Sequence, residues 1–397
     1  MVGEQIDFIS QLATGWRREM HRQPGLAFQE IFAHRLVAEK LIEWRIPFHV
    51  LGRTGIVGII NGNNPGKTIG LRADMDALPI EENKTGKSWA SINPGIMHAC
   101  GHDGHTAILL GTAQYLNQNR DFDGRVLLIF QPAEENASFG AKAMIKDGLF
   151  SDNLCCDEVY TIHNSPAYPL GSALTCAGPM MASSDNFLLT VIGKGGHAAF
   201  MDDTINPIES ATRIAMYALD RGHKKWMEPD LNQKAVINIA GINAGGDSFN
   251  ITPGTATIRG TLRTFNPGVR EFLKRDLSEI WSNIAAHNAA QINIEWKTGY
   301  DSTINAPVPT QKAVVALKEA FDAEYVNEYV KPIMAVDDFG AMSSVVPGCY
   351  VTLGQATQDK NSAANQNLHS AGYDFNDDLI APAIKYFTSL VQGPKPA

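Results

Sequence analysis

Cysteine is scarce in this 397-residue sequence, and long apolar runs are missing. A small disulfide-stapled fold needs a dense and even set of cysteines, whereas this chain has five, scattered along its length. They are Cys100, Cys155, Cys156, Cys176 and Cys349. We therefore expect free thiols or metal ligands. No apolar stretch approaches the roughly 20 residues that a membrane helix needs, so a membrane span is not expected.

Positive charge is also in short supply. Lys and Arg together number 33 against 42 for Asp and Glu, which gives a formal net charge of −9. Such a surface repels phosphate backbones and anionic lipid headgroups, so neither nucleic acid nor a membrane is an expected partner. The first residues include Glu4 and Asp7 and lack the basic start and apolar run of a signal or transit peptide. We expect a cytoplasmic protein.

The order of helix and strand patterns predicts an α/β domain. Apolar residues spaced by three and four predict helices, and short apolar runs bounded by Gly, Asn and Pro predict buried strands. In chain order these segments are helices 6–20 and 32–42, strands 56–60 and 68–71, helix 106–115, strand 126–130, helix 141–145 and strand 159–162. Functional groups in such a fold collect where loops leave the carboxyl ends of the strands.

The pattern changes after Gly178-Pro179, where two strand-helix-strand halves predict a small α+β domain inserted into the first. From residue 310 the alternation of helix and strand resumes. We therefore predict a main domain of residues 1–180 and 295–397, with a mixed, largely parallel sheet between helices. Residues 181–294 are predicted to form the inserted domain.

The densest polar cluster lies at 97–106, just before a predicted helix. Cys100 and His102 stand two residues apart on a loop, and a thiolate and an imidazole in this arrangement can converge on zinc or a related divalent metal. Two other interpretations remain. The loop could be a polar helix cap. Alternatively, Cys100 could be the nucleophile of a thiol enzyme, which predicts inactivation by alkylation and indifference to chelators.

Two adjacent carboxylates, Glu134 and Glu135, follow directly after an apolar strand. Successive residues of an extended chain point to opposite sides, so one carboxylate can bind a metal while its neighbour handles a proton on a metal-activated water. A solvated turn is the alternative.

His163 and His369 each end an apolar segment, and either one alone would more often be structural. Together with Cys100, His102 and Glu135 they provide enough ligands for a two-metal site in which one ligand or a water bridges. This mixed set of ligands suits manganese or zinc best, and it also tolerates cobalt or nickel.

Asp74 and Asp76 lie at another predicted strand end, where a carboxylate can orient a ligating imidazole. A turn would explain both equally well, and Asp76 is placed among the candidate catalytic residues. The Gly-rich turn 193–198 presents His197 but lacks the spacing of a dinucleotide or phosphate-binding loop. A phosphate-binding site at this turn is therefore not expected.

These segments together resemble the metal-dependent aminoacylase and carboxypeptidase amidohydrolases, in the branch that contains hippurate hydrolases and indole-acetyl-amino-acid hydrolases. The resemblance spans nearly the whole chain. It is carried by 17–24, 71–79, 97–106, 131–135, 193–199, 259–265, 338–339 and 368–377. The resemblance implies that the main domain is catalytic and holds two divalent metals. It also implies that the inserted domain is a lid through which the protein forms a homodimer.

The resemblance also implies roles for individual residues. The metal ligands it implies are Cys100, His102, Glu135, His163 and His369. Glu134 matches the general base, and His197 matches the lid histidine that stabilises the tetrahedral oxyanion. Asn250 and Arg263 match lid positions that hold the free carboxylate of the substrate. The implied reaction is hydrolysis of the amide bond of a small-molecule N-acyl amino acid to a carboxylic acid and a free amino acid.

The sequence departs from this family in the inserted domain. Met201-Asp202 stands where a Pro-His pair is usual, and Pro253-Gly254 stands where Pro-Asp is usual. No predicted ligand or base is lost, but the acyl and amino-acid preference stays open. A dipeptidase or carboxypeptidase, or a deacetylase of the N-acetyl-diaminopimelate type, would use the same chemistry. Outside the enzymes, the alternative is a non-catalytic relative that binds a ligand or buffers metal ions.

Overall fold

The computed structural model describes residues 2–393. The chain divides into two compact units. Unit 1 runs from the start of the described chain to Met180 and also contains Ile304–Lys331 and the residues from Asp338 onwards. Unit 2 consists of Met181–Thr303 and Pro332–Asp337.

The second boundary differs from the position expected from the sequence. A cut after residue 294 falls inside the strand Gln291–Thr298, which pairs along its whole length with Ser183–Ile192. Unit 2 therefore extends to Thr303. None of the described helices is both long and apolar enough to cross a membrane.

The helices of the described chain are α1 (Val2–Arg22), α2 (Ile31–Glu43), α3 (His102–Gln118), α4 (Gly140–Lys146), α5 (Pro207–Trp226), α6 (Pro267–His287), α7 (Pro307–Ala320), α8 (Phe339–Ser343) and α9 (Ile380–Gln392). The first strands are β1 (Phe48–Leu51), β2 (Gly55–Asn61), β3 (Asn64–Asp74), β4 (Asp123–Gln131), β5 (Glu158–Pro169), β6 (Ala173–Leu174), β7 (Gly178–Met181) and β8 (Ser183–Ile192). The others are β9 (Gly196–His197), β10 (Ala235–Ala244), β11 (Ile251–Thr252), β12 (Thr255–Thr264), β13 (Gln291–Thr298), β14 (Thr303–Asn305), β15 (Val326–Asn327) and β16 (Gly348–Ala356).

Unit 1 is built on an eight-stranded mixed sheet with the order β1-β2-β4-β3-β5-β16-β6-β15. The four central strands β4, β3, β5 and β16 are mutually parallel. Their apolar runs are buried on both faces, as parallel strands between helices require. Helices α1, α3, α7 and α9 pack together around one large apolar core. The predicted sheet between helices is confirmed.

Unit 2 contains a four-stranded antiparallel sheet with the order β10-β12-β8-β13. Buried and exposed residues alternate along β8 and β12, which is typical of a sheet covered on one face only. Helices α5 and α6 contact this sheet, and Trp281 of α6 is completely buried in the shared core. This architecture is the predicted α+β domain.

Candidate active site

The candidate site of unit 1 lies at the carboxyl ends of the central parallel strands. Asp74 ends β3, Glu134 follows shortly after β4, and His163 lies within β5. Because parallel strands end at one edge of the sheet, these groups meet there. His102 begins α3, four residues earlier than the predicted helix start at 106.

The chain enters α3 through Gly101, which adopts a left-handed conformation with φ of 93°. A β-carbon at this position would lie 2.4 Å from Oδ1 of Asn164, so only glycine fits. The backbone N–H of His369 donates to the carbonyl oxygen of Ala99 at 2.8 Å. The two loops that carry Cys100 and His369 are therefore held side by side.

All five predicted ligand residues converge. Sγ of Cys100 lies 3.5 Å from Nε2 of His163 and 3.3 Å from Nε2 of His369. Nε2 of His369 lies 3.1 Å from Oε1 of Glu135. The ligand atoms of Cys100, His102 and His163 lie within 4.8 Å of one another, and so do those of Cys100, Glu135 and His369. Cys100 is thus common to two groups of three.

The imidazoles of buried His102 and half-buried His163 each have Nδ1 held by a backbone carbonyl oxygen. Nδ1 of His163 donates to the carbonyl oxygen of Asn164 at 2.8 Å, so Nε2 carries the lone pair. Nδ1 of His102 lies 3.0 Å from the carbonyl oxygen of Asp76 and 3.2 Å from its Oδ1. Burial lowers the pKa of His163 to about 3, which keeps its ring neutral.

Asp76 connects two members of the cluster. Besides facing His102 through Oδ1, its Oδ2 accepts the backbone N–H of Glu135 at 2.9 Å. Its carboxylate is 1% exposed, so these contacts are shielded from water. Asp76 therefore orients an imidazole and also fixes the backbone beside the two glutamates.

The donor set fits divalent metal ions. Nε2 of His102 is buried without a hydrogen-bond partner among residues 2–393, whereas buried Oε1 of Glu135 has only the His369 ring beside it, at 3.1 Å. Buried polar atoms are rarely left unsatisfied, and an unpaired imidazole nitrogen that points into a group of sulfur, nitrogen and carboxylate donors suits a cation. Burial raises the pKa of the Cys100 thiol well above its ordinary value, with Glu135 and Glu134 adding to this effect against His102. A thiolate here needs nearby positive charge.

The same observation weighs against Cys100 as the nucleophile of a thiol enzyme. Nucleophilic cysteines have a lowered pKa and an electropositive setting, whereas this thiol is buried beside two carboxylates.

A buried network behind the cluster was not anticipated from the sequence. Arg72 of β3 donates to Oδ2 of Asp74 at 2.8 Å and to Oδ1 of Asp338 at 3.0 Å. His105 faces Asp74 at 2.6 Å and Oδ1 of Asn164 at 2.7 Å. The only signal of this network in the sequence is Arg72, a charged residue inside an otherwise apolar strand, because a buried charge needs buried partners.

The three remaining predicted residues lie in unit 2. His197 of β9 pairs with Ile251 of β11, and the N–H of Ala198 donates to the carbonyl oxygen of Asn250 at 3.0 Å. Both His197 and Asn250 are exposed. Arg263 lies near the opposite end of β12, where its Nη1 donates to the carbonyl oxygen of Met334 at 2.5 Å. The structure therefore brings His197 and Asn250 together and places Arg263 apart from them.

Comparison with known proteins places this chain in a family. Residues 70–393 match peptidase family M20/M25/M40. The chain belongs to that family. The family resemblance expected from the sequence is confirmed, and with it the expectation that the chain is a hydrolase of amide bonds.

Named relatives cover almost the full length of this M20/M25/M40 family member. A hippurate hydrolase of Campylobacter jejuni is 37% identical over 94% of this chain and 94% of its own. Thermostable carboxypeptidase 1 of Saccharolobus solfataricus is 36% identical over 96% of this chain and 93% of its own.

Among solved structures, a Bacillus subtilis protein described as a dinuclear metal-binding peptidase of the M20 family superimposes with a TM-score of 0.82. It is 30% identical, and the match covers 97% of this chain and 98% of that protein. The fold of that protein is thus shared along nearly all of this chain.

Proposed function

We propose that this protein hydrolyses the amide bond of N-acyl amino acids, releasing a carboxylic acid and a free amino acid. The observation that carries the proposal is the convergence of five ligand-type side chains around Cys100, with Glu134 beside them. The hippurate hydrolase relative supports the substrate class, since hippurate is itself an N-acyl amino acid.

Two divalent cations would be held by the five residues of the cluster. Cys100, His102 and His163 would hold one ion, and Cys100, Glu135 and His369 the other. When bound, two such ions lower the pKa of a water from about 15.7 towards about 7 and polarise the amide carbonyl. Manganese and zinc suit this mixed donor set best, and the dinuclear relative supports the number of ions.

Glu134 would act as the general base. Its carboxylate lies within 4.8 Å of the ligand atoms of His102 and Glu135 and is 7% exposed. From this position it accepts a proton from the attacking water and returns it to the leaving amine. Its neighbour Glu135 has its backbone N–H held by Asp76, so the two carboxylates keep separate roles.

Unit 2 would supply the groups that recognise the rest of the substrate. His197 would stabilise the negative charge that develops on the amide oxygen, a contact type worth about 2.7–4 kcal/mol per donor in other hydrolases. Asn250 and Arg263 are proposed to bind the free carboxylate from different copies of the homodimer, because they lie apart within one copy. For Arg263 this requires its guanidinium to exchange the carbonyl of Met334 for the substrate.

A carboxypeptidase is the second candidate function, because the thermostable carboxypeptidase relative is nearly as similar as the hippurate hydrolase. Both reactions cleave an amide next to a residue with a free carboxylate. They differ in the acyl side, which is a simple acyl group in one case and a peptide in the other.

Amino-acid release from a panel of N-acetyl, N-benzoyl and indole-acetyl amino acids, run beside a panel of dipeptides and tripeptides, tests both functions. The protein is assayed as purified, after chelation, and after re-addition of manganese or zinc. We expect release from the N-acyl panel that chelation abolishes and metal restores. Release from peptides alone would favour the carboxypeptidase. No release from either panel by metal-loaded protein would contradict the proposal.

The proposal includes a homodimer formed through unit 2 and a cytoplasmic location. Helix α5 exposes 67% of Met216 and 50% of Leu219, which supports burial of this helix face against a second copy. Sedimentation of wild type and Met216→Glu tests the dimer, with dissociation expected for the variant. A reduced Cys100, needed as a ligand, fits a reducing compartment.

A further inference from the structure

A second carboxylate outside the proposed metal cluster reaches the segment that carries the general base. Glu30 precedes helix α2, and its side chain is completely buried. Its Oε1 accepts the backbone N–H of Ala133 at 2.9 Å and that of Phe28 at 2.8 Å. Its Oε2 accepts a hydrogen bond from the hydroxyl of Thr54.

Ala133 is the point at which the chain turns away from strand β4. It has a φ of 54°, a left-handed conformation that is uncommon for a residue with a β-carbon. Its carbonyl oxygen accepts the N–H of Gly140 at 2.9 Å, and its own N–H is the group bound by Glu30. A strained conformation of this kind persists only where the surroundings fix it. The next residue in the chain is Glu134.

We propose that Glu30 is a positioning residue for Glu134. It holds the Ala133 turn and thereby fixes the orientation of the Glu134 carboxylate towards the water from which it takes a proton. The inference rests on the proposed role of Glu134. Asp76 binds the N–H of Glu135, and Glu30 binds the N–H of Ala133. The backbone on either side of Glu134 is therefore clamped by a buried carboxylate from a distant part of the chain.

Stability alone does not explain a carboxyl group at this position. Burial raises the pKa of Glu30 to about 7, with Asp76 adding to the effect, so keeping it ionised costs folding free energy at neutral pH. In its ionised form the carboxylate makes stronger hydrogen bonds to N–H and O–H donors than a neutral group does. Retaining a costly group beside a reactive one is typical of a functional site.

The test compares Glu30→Ala, Glu30→Gln and Thr54→Val with wild type, all in the metal-loaded full chain. Because a small displacement of a reacting group can cost about 100-fold in rate, Glu30→Ala is expected to lose about 100-fold in kcat with KM largely unchanged. Glu30→Gln should recover only part of this loss, since its carbonyl oxygen can still accept from Ala133 but makes a weaker hydrogen bond than a carboxylate does. Thr54→Val removes one hydrogen bond and should lose about tenfold.

Two further readouts separate positioning from general damage. Metal content should stay at the wild-type value, and hydrogen exchange of the peptide that contains Ala133 should speed up in Glu30→Ala. Glu158→Ala is the matched control, because Glu158 is also a buried carboxylate but binds Lys67 and Lys312. It should lower thermal stability and leave kcat unchanged.

The possible results distinguish a failure of the Glu30 role from a failure of the proposed function. If Glu30→Ala does not fold, Thr54→Val and Glu30→Gln carry the test. Full kcat in Thr54→Val together with unchanged exchange at Ala133 would overturn the inference. Activity in Glu134→Gln would instead overturn the proposed function. An inactive Glu134→Gln beside fully active Glu30 variants would leave that function standing and remove the role of Glu30.

Discussion

His21 offers a quantitative test of how helix α1 is joined to the site. Its ring is completely buried, with Nδ1 2.9 Å from Oδ2 of Asp103 and Nε2 3.0 Å from Oε1 of Glu82. Both partners are carboxylates, so both ring nitrogens donate and the ring is charged. Burial alone would lower its pKa, but Asp103 and Glu82 outweigh it and raise the pKa to about 9. The substitution His21→Gln removes this charged ring.

The two pKa values of His21 give the size of its contribution to the folding free energy. His21 titrates at 6.5 in the unfolded chain and at about 9 in the folded protein, a difference of about 2.5 that corresponds to about 3 kcal/mol. Because the folded value is the higher one, this stabilisation is fully present below pH 6.5. It is lost as the pH rises through 9.

The assay is urea unfolding of wild type and His21→Gln in chelator, at intervals from pH 6 to pH 10. We expect the difference in unfolding free energy to shrink by about 3 kcal/mol over this range. In the wild-type structure Arg17 lies 3.5 Å from Asp103 and Lys87 lies 3.2 Å from Glu82, and we expect these cations to keep both carboxylates charged in the variant. A difference that does not change with pH would refute a charged His21.

Three further predictions concern the proposed site. Cys100→Ser should lower the metal content measured by atomic emission, because Cys100 is common to both groups of ligands; two ions retained at wild-type affinity would contradict this. Glu135→Gln should lose metal, whereas Glu134→Gln should keep it and lose turnover; identical metal contents and rates in the two variants would remove their separate roles. His197→Ala should lower kcat by about 100-fold or more with a smaller effect on KM, and steady-state kinetics showing only a raised KM would assign it to binding.

Much of the fold and the proposed ligand set could be predicted because the signals are local. Apolar runs such as 126–130 and 159–162 are strands that end in polar side chains, and parallel strands bring those ends together. The spacing of Cys100 and His102 is equally local. Helix α3 begins at His102, earlier than the predicted residue 106, because Gly101 rather than a polar capping residue ends the loop. The left-handed conformation of Gly101 lets His102 enter the first turn.

The contacts that orient these groups could not be predicted, because they join residues far apart in the chain. His21 meets Asp103 across 82 positions, and Glu30 meets Ala133 across 103. Nothing in the sequence spacing marks either pair as a contact. Judged from the sequence, His21 and Glu30 resemble solvent-exposed charged residues or residues at an ordinary helix end. Only the packing of α1 and the start of α2 against the rest of unit 1 selects these partners.

The segment that leaves strand β4 shows why such contacts matter for the proposed chemistry. It carries both glutamates, yet the residues from Pro132 to Phe139 contain only one short 3-10 turn. Its backbone is instead held by carboxylates from two distant segments: Glu30 accepts the N–H of Ala133 and Asp76 accepts that of Glu135, each at 2.9 Å. A third carboxylate, that of Asp338, accepts the N–H of Ala141 in the first turn of the following helix α4, also at 2.9 Å. Carboxylate bonds to backbone N–H groups are short and strong, so an irregular loop gains the rigidity of a regular element. A base and a metal ligand on adjacent residues need that rigidity, because displacing a reacting group by about 1 Å can cost about 100-fold in rate.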